Sequence, residues 1–210
     1  MDKGSVKAAR LSLPDRLLRG FAYGMIHLVQ RPRLSRPKPV LEGPAIFACR
    51  HVGLMDPVIL MVEYYRKMLH PLVALDYYEA NGFTRSFYDH AQCIPIDRKG
   101  KSKKWLEDSV AALRKGECII IFPEGKRNKS EKGLLPFKHG VAMLAAASGA
   151  PVIPVYNKVW HFPHRYKMGI GSPIQLPPVP EGIDTDEWIN AQTAVIQEAV
   201  AALEAEVEAL

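Results

Sequence analysis

Residues 45–60 read Ala45-Ile-Phe-Ala-Cys-Arg-His51-Val-Gly-Leu-Met-Asp56-Pro-Val-Ile-Leu60. A short run of small and apolar residues predicts a buried strand. A tight bend follows, and then Asp-Pro opens an apolar helix, with Asp56 as its N-cap and Pro57 in its first turn. This strand–bend–helix unit sets the pattern for the chain on either side of it.

Outward from there the alternation repeats. Apolar runs at Ala45–Cys49, Leu72–Leu75, Cys93–Ile96, Cys118–Phe122, Val152–Tyr156 and about Tyr166–Ile170 predict strands. Helical patterns fall at Pro57–Leu69, Gly82–His90, Lys103–Lys115 and Lys138–Ser148. Such alternation predicts an α/β fold: a mostly parallel mixed sheet flanked by helices. Sheets of this kind collect their sites at strand ends and in the loops that follow. A long helical pattern from Asp184 to Leu210 closes the chain, with Trp188, Ile189, Val195, Ile196 and Val200 as its apolar stripe.

At the other end, Leu13 to Gln30 predicts an amphipathic helix. Leu13, Leu17, Leu18, Phe21, Met25, Leu28 and Val29 share one face, suited to docking or to a membrane surface. Arg31 to Pro44 holds four prolines and four basic residues and reads as an extended linker. The expected division is therefore 1–40, a basic amphipathic membrane-association segment with its linker, and 41–210, the main domain.

Charge is unevenly placed on this 210-residue chain of net charge +6. Residues 1–40 carry nine Lys/Arg and two acids, whereas 181–210 carry eight acids and no Lys/Arg. A basic front and body suit an anionic partner, such as phosphate groups or a lipid surface. Cys49, Cys93 and Cys118 each sit in an apolar run and read as small buried hydrophobes, not as a disulfide framework or a zinc site. No secretory signal is evident, and no run reaches the eighteen apolar residues of a spanning helix. A membrane is therefore expected to be met from its surface.

Three segments carry chemistry. His51 and Asp56 stand at the two ends of a short bend that can fold the imidazole onto the carboxylate. That arrangement fixes the tautomer and frees the other ring nitrogen to act as general base toward an alcohol. Phe122-Pro123-Glu124-Gly125-Lys126-Arg127 leaves the strand that precedes it with Glu124 at the strand end. Gly125 there permits close backbone approach, and Arg127 can hold a phosphate bidentately. Ile94-Pro95-Ile96-Asp97-Arg98 again puts an arginine at a strand exit, followed by Lys99, Lys101, Lys103 and Lys104. Each piece also has an ordinary explanation: a capping aspartate, a Pro-Gly turn, a solvated lysine loop.

Together with the strand Val152-Ile-Pro-Val155, these blocks resemble the glycerolipid acyltransferase family, typified by 1-acylglycerol-3-phosphate O-acyltransferases. The resemblance spans about residues 45–157 in the family's block order, and Phe137-Lys138-His139-Gly140 is similar to the element after the third block. It implies a glycerol-3-phosphate acyltransferase-like fold and acyl transfer from an acyl thioester to the hydroxyl of a lysophospholipid, most simply 1-acylglycerol-3-phosphate. It implies His51 as base and Asp56 as its orienting partner. Arg98 and Arg127 would be phosphate ligands, with Glu124 and Gly125 positioning the acceptor. No metal or cofactor is called for; acyl-CoA or an acyl carrier protein would be the co-substrate donor. The expected place of action is the cytoplasmic face of the cell membrane, peripheral or monotopic. Two departures stand out: Arg50 before the histidine and Lys126 after the FPEG string, both expected to add positive charge beside the site.

Of three rival readings, only the last differs in class. Another lysolipid could be the acceptor. A Cys49–His51 dyad could form an acyl-enzyme. The chain could instead be a basic module that binds anionic lipid or nucleic acid, though no nucleic-acid motif is present and none is expected as a partner.

Overall fold

The computed structural model describes residues 13–29, 31–98, 102–159 and 166–210. Gln30, Lys99 and Lys101, named above, lie outside the described residues. In chain order the elements are α1 (Leu13–Val29), β1 (Arg33–Leu34), β2 (Ile46–Cys49), α2 (Asp56–Glu63), β3 (Leu69–Ala74), α3 (Leu75–Tyr78) and α4 (Gly82–His90). Then come β4 (Ile94–Ile96), α5 (Lys104–Arg114), β5 (Cys118–Ile121), α6 (Gly140–Ser148), β6 (Val152–Val159), β7 (Tyr166–Ile170), α7 (Thr185–Ala201) and α8 (Glu204–Glu208).

The seven strands form one sheet in the order β1-β7-β6-β2-β5-β3-β4. Every pairing is parallel except β6 with β7. The expected fold class is thus what the chain adopts. Helices cover both faces, so the central strands are apolar on both sides. Ile46, Ala48, Ile119 and Ile121 point into one core, with α5, α6 and α7. Phe47, Cys49, Cys118 and Ile120 point into the other, with α2. That period-two division is the strand geometry itself. Pro154 is tolerated inside β6 because pairing with β7 begins one residue later, at Val155↔Ile170.

Several boundaries shift from expectation. Helix α2 begins on Asp56, with Met55 in the cap position and no side-chain cap. Asp56 is therefore not the N-cap; its carboxylate turns back onto the bend. The helix stops at Glu63, since Leu69 already belongs to β3. The closing helix breaks after Ala201 into α7 and α8. The expected linker contributes β1, paired parallel with β7, so residues 33–34 join the sheet.

Helix α1 docks on α2, with Ile26 packed against the apolar core and polar contacts beside it. His27 Nε2 and Lys38 Nζ both reach the buried Glu63 carboxylate, at 2.9 and 2.8 Å. Tyr23 packs on His27 and on Tyr65. Its other side leaves Leu13, Leu17, Phe21, Met25 and Leu28 exposed.

Candidate active site

Strands β2 and β5 are neighbours and parallel, with Ala48 opposite Ile121. His51 and Glu124 each come three residues after that pair, so the two bends emerge side by side. His51 Nδ1 lies 2.7 Å from Asp56 Oδ2. The same oxygen accepts the backbone N–H of Val52 at 2.7 Å and of Gly53 at 3.0 Å. A carboxylate accepts only from a protonated ring nitrogen, so Nδ1 carries a hydrogen, and in the neutral ring Nε2 is the acceptor. The Asp56 side chain is 0% exposed and that of His51 20%. Burial pushes the Asp56 carboxyl above its ordinary range, and the bonds from His51, Gly53 and Val52 pull it back.

The imidazole is held from other directions too. Phe122 stacks on it, ring centroids 4.2 Å apart and planes 29° from parallel. Its backbone is gripped at both ends: His51 N donates to Glu124 Oε1 at 2.9 Å, and Asn128 N donates to His51 O at 2.6 Å. Phe122 was quoted in the sequence only as part of a string; its stacking needs the register of β2 against β5.

Glu124, which the resemblance gives a part in positioning the acceptor, is buried. Its other oxygen accepts Asn128 Nδ2 at 2.7 Å and Leu135 N at 2.8 Å. With three donors from the protein, the carboxylate braces the backbone of His51 and the loop after the FPEG turn.

Arg50 corrects an expectation. Its guanidinium is held inside the protein and is not presented beside His51. Being adjacent to His51 in the chain, it points to the opposite side of the strand and is 1% exposed. Its guanidinium donates to the carbonyls of Gly133, Asn157 and Ser130 at 3.0, 2.9 and 2.8 Å. It also lies 4.7 Å from the centroid of Tyr156. Asn157 Nδ2 donates in turn to Arg50 O at 3.0 Å. Arg50 thereby ties the 130–133 loop to β6, behind the site.

His51 opens on a cleft of about 300 Å³. Leu72, Val73, Ile96 and Ile121 give it an apolar floor, and Arg98, Lys126, Arg127 and Lys138 a cationic side. Arg98 is already engaged: its guanidinium forks onto both Asp76 oxygens at 2.8 and 3.0 Å and donates to Gly125 O at 3.1 Å. A more open hollow of about 240 Å³ lies against Asp76, Glu79, Asp97 and Arg98. Its lining has three carboxylates and no histidine. Cys49 is fully buried in the apolar core, and burial, with Asp56 nearby, pushes its thiol far from the thiolate. An acyl-enzyme on Cys49 is not compatible with that placement.

Residues 26–158 match the family described as Acyltransferase. The 1-acyl-sn-glycerol-3-phosphate acyltransferase of Bacillus subtilis (strain 168) is 23% identical over 171 residues, covering 79% of this chain and 83% of that protein. The protein of the same name from Cocos nucifera is 29% identical over 162 residues, covering 69% of this chain and 47% of its own length. The chain thus spans most of the bacterial relative and about half of the plant one. Among solved structures, the 1-acyl-sn-glycerophosphate (LPA) acyltransferase PlsC from Thermotoga maritima superposes with a TM-score of 0.63 at 19% identity, covering 95% of this chain and 85% of that one. That likeness establishes the fold.

Proposed function

We propose, from the premise that this chain belongs to the acyltransferase family, that it transfers a fatty acyl group from an acyl thioester to the free hydroxyl of 1-acylglycerol-3-phosphate, giving phosphatidic acid. The observation that carries this reading is the His51–Asp56 pair, bonded at 2.7 Å, opening on a cleft with an apolar floor and a cationic side. Apolar walls suit acyl chains and cations suit a phosphomonoester. The acceptor is the one for which the Bacillus subtilis and Cocos nucifera relatives are named.

In this mechanism Nε2 of His51 takes the hydroxyl proton as the oxygen attacks the thioester carbonyl. Asp56 holds the ring and stabilises the imidazolium that forms. The tetrahedral intermediate collapses, the C–S bond breaks, and the departing thiolate recovers the proton from Nε2. Arg127 binds the phosphate, with Arg98 donating its remaining N–H groups from across Gly125. Glu124 acts through the backbone of His51. The donor is acyl-CoA or an acyl carrier protein. Membrane contact, at the cytoplasmic face, is made by the exposed stripe of α1. No described helix is long and apolar enough to cross a bilayer.

A panel of lysolipid acceptors with one labelled acyl thioester tests the reading, run on wild type and His51→Ala. Labelled phosphatidic acid is expected from wild type only. Transfer to no acceptor, or equal transfer by the variant, would overturn it. Transfer to a different lysolipid would move the acceptor and keep the mechanism.

A further inference from the structure

Two elements far apart in the sequence, the FPEG turn and Phe137-Lys138-His139-Gly140, meet at a single α-carbon. Gly125 has φ +70°, and a Cβ there would stand 2.7 Å from Cε, 2.9 Å from Nζ and 3.0 Å from Cδ of Lys138. The lysine side chain therefore lies flat across the open face of the glycine. Its backbone is fastened to the same turn, Lys138 N donating to Pro123 O at 2.8 Å. From the other direction Arg98 donates to Gly125 O. Lys126 and Arg127 come next in the chain, and all four cations line the cleft that holds His51. Among the described residues Arg98 alone of the four is paired with a carboxylate, Asp76. Like charges converging on one turn repel unless a counter-charge enters between them. An apolar floor beneath them strengthens the attraction for that anion.

We propose that Lys138 is a further phosphate ligand of this site, and that glycine at residue 125, besides allowing the φ of +70°, leaves the lysine room to lie across the turn. The inference rests on the acyl-transfer reading and adds a residue that sets its acceptor preference. The phosphate is that of the acceptor; the thioester donor's phosphates are the competing source.

The test measures kcat and KM in wild type, Lys138→Met, Gly125→Ala and the double variant. The substrates are 1-acylglycerol-3-phosphate, a monoacylglycerol lacking the phosphate, and the thioester. Loss of a charged hydrogen bond predicts that Lys138→Met raises KM for the phosphate acceptor about tenfold. Its preference for that acceptor over monoacylglycerol falls by the same factor, with the thioester's KM unmoved. Gly125→Ala displaces the lysine and acts likewise, so the double variant loses no more than the worse single one. Calorimetric titration with inorganic phosphate reads the site without turnover and is expected to weaken in Lys138→Met. Unchanged phosphate binding together with an unchanged acceptor KM in that variant overturns the proposal. So does a rise confined to the thioester's KM. Additive losses in the double variant overturn the role given to Gly125. Should Gly125→Ala not fold, Lys138→Met still decides. A wild type that acylates no lysolipid removes the functional reading, whereas the phosphate titration still judges Lys138.

Discussion

Glu124 reaches His51 through the main chain: its Oε1 accepts the histidine's backbone N–H at 2.9 Å, and no side-chain contact joins the two. The acid of the FPEG turn therefore sets where the base sits, while Asp56 sets which way its ring faces. Glu124→Gln puts an amide where three donors need acceptors. It is expected to lower kcat by about ten- to a hundredfold with little change in acceptor KM, and to cost roughly 1–3 kcal/mol of stability. Steady-state kinetics beside urea unfolding checks both. A change in acceptor KM alone would return Glu124 to the acceptor.

Asp56 behaves oppositely in stability. A carboxyl whose folded pKa is raised by burial opposes folding once ionised, and that cost declines as pH falls below the raised value and is gone beneath the ordinary value of 3.8. Asp56→Asn should therefore keep or raise the melting temperature at neutral pH. Its kcat should fall by about 10²–10⁴, the scale set by a mis-oriented general base. A clear drop in melting temperature would show that its hydrogen bonds outweigh desolvation.

Arg50 is expected to matter for stability and not for headgroup choice. Arg50→Met strips donors from three carbonyls and should destabilise by about 3–5 kcal/mol. The ranking of acceptors among the surviving folded molecules should stay as in wild type. A changed ranking would restore Arg50 to the binding site.

Acid should loosen the C-terminal helix first. Arg36 holds Glu206, and Lys158 holds Glu208, each below the ordinary glutamate value of 4.5. A depressed folded pKa gives stability that is present above the unfolded value and lost as pH falls beneath it. Hydrogen exchange in Glu204–Glu208 should rise as pH falls below 4.5 once corrected for the intrinsic rate, ahead of β2 and β5. Simultaneous loosening of all three would refute the order.

Leu17 and Phe21 stand exposed on α1 while His27 anchors the helix to Glu63. Leu17→Ser with Phe21→Ser should cut sedimentation with anionic vesicles severalfold and leave the fold intact. Removing residues 1–40 outright is the poorer test, because β1 and the Lys38 bond leave with them. Unaltered sedimentation of the double variant would move the contact to the basic body.

The α/β class was legible because apolar runs and helical periodicities alternate, and those are local signals. His51 and Asp56 were legible as a pair because five residues is the span of one bend. The inward turn of Glu124 was not, since it depends on which strand β5 lies beside. The direction of Arg50 follows from strand alternation once His51 is known to face the cleft, so it could have been read. The crossing of Lys138 over Gly125 joins positions thirteen apart through a loop with no periodicity, and it left no local trace. Helix ends also drifted by a few residues, as frayed termini do.

The pairing of Ala48 with Ile121 has an evolutionary corollary. Between Glu63 and Leu69 the polypeptide can lengthen or shorten without disturbing the chemistry, because both bends are measured from the ladder and not along the chain. A single residue inserted between Ala48 and His51 has no such freedom. It would swing the imidazole to the reverse of the sheet and put Arg50 in its place. Descendants of this design should therefore vary widely in overall length while keeping those two offsets fixed.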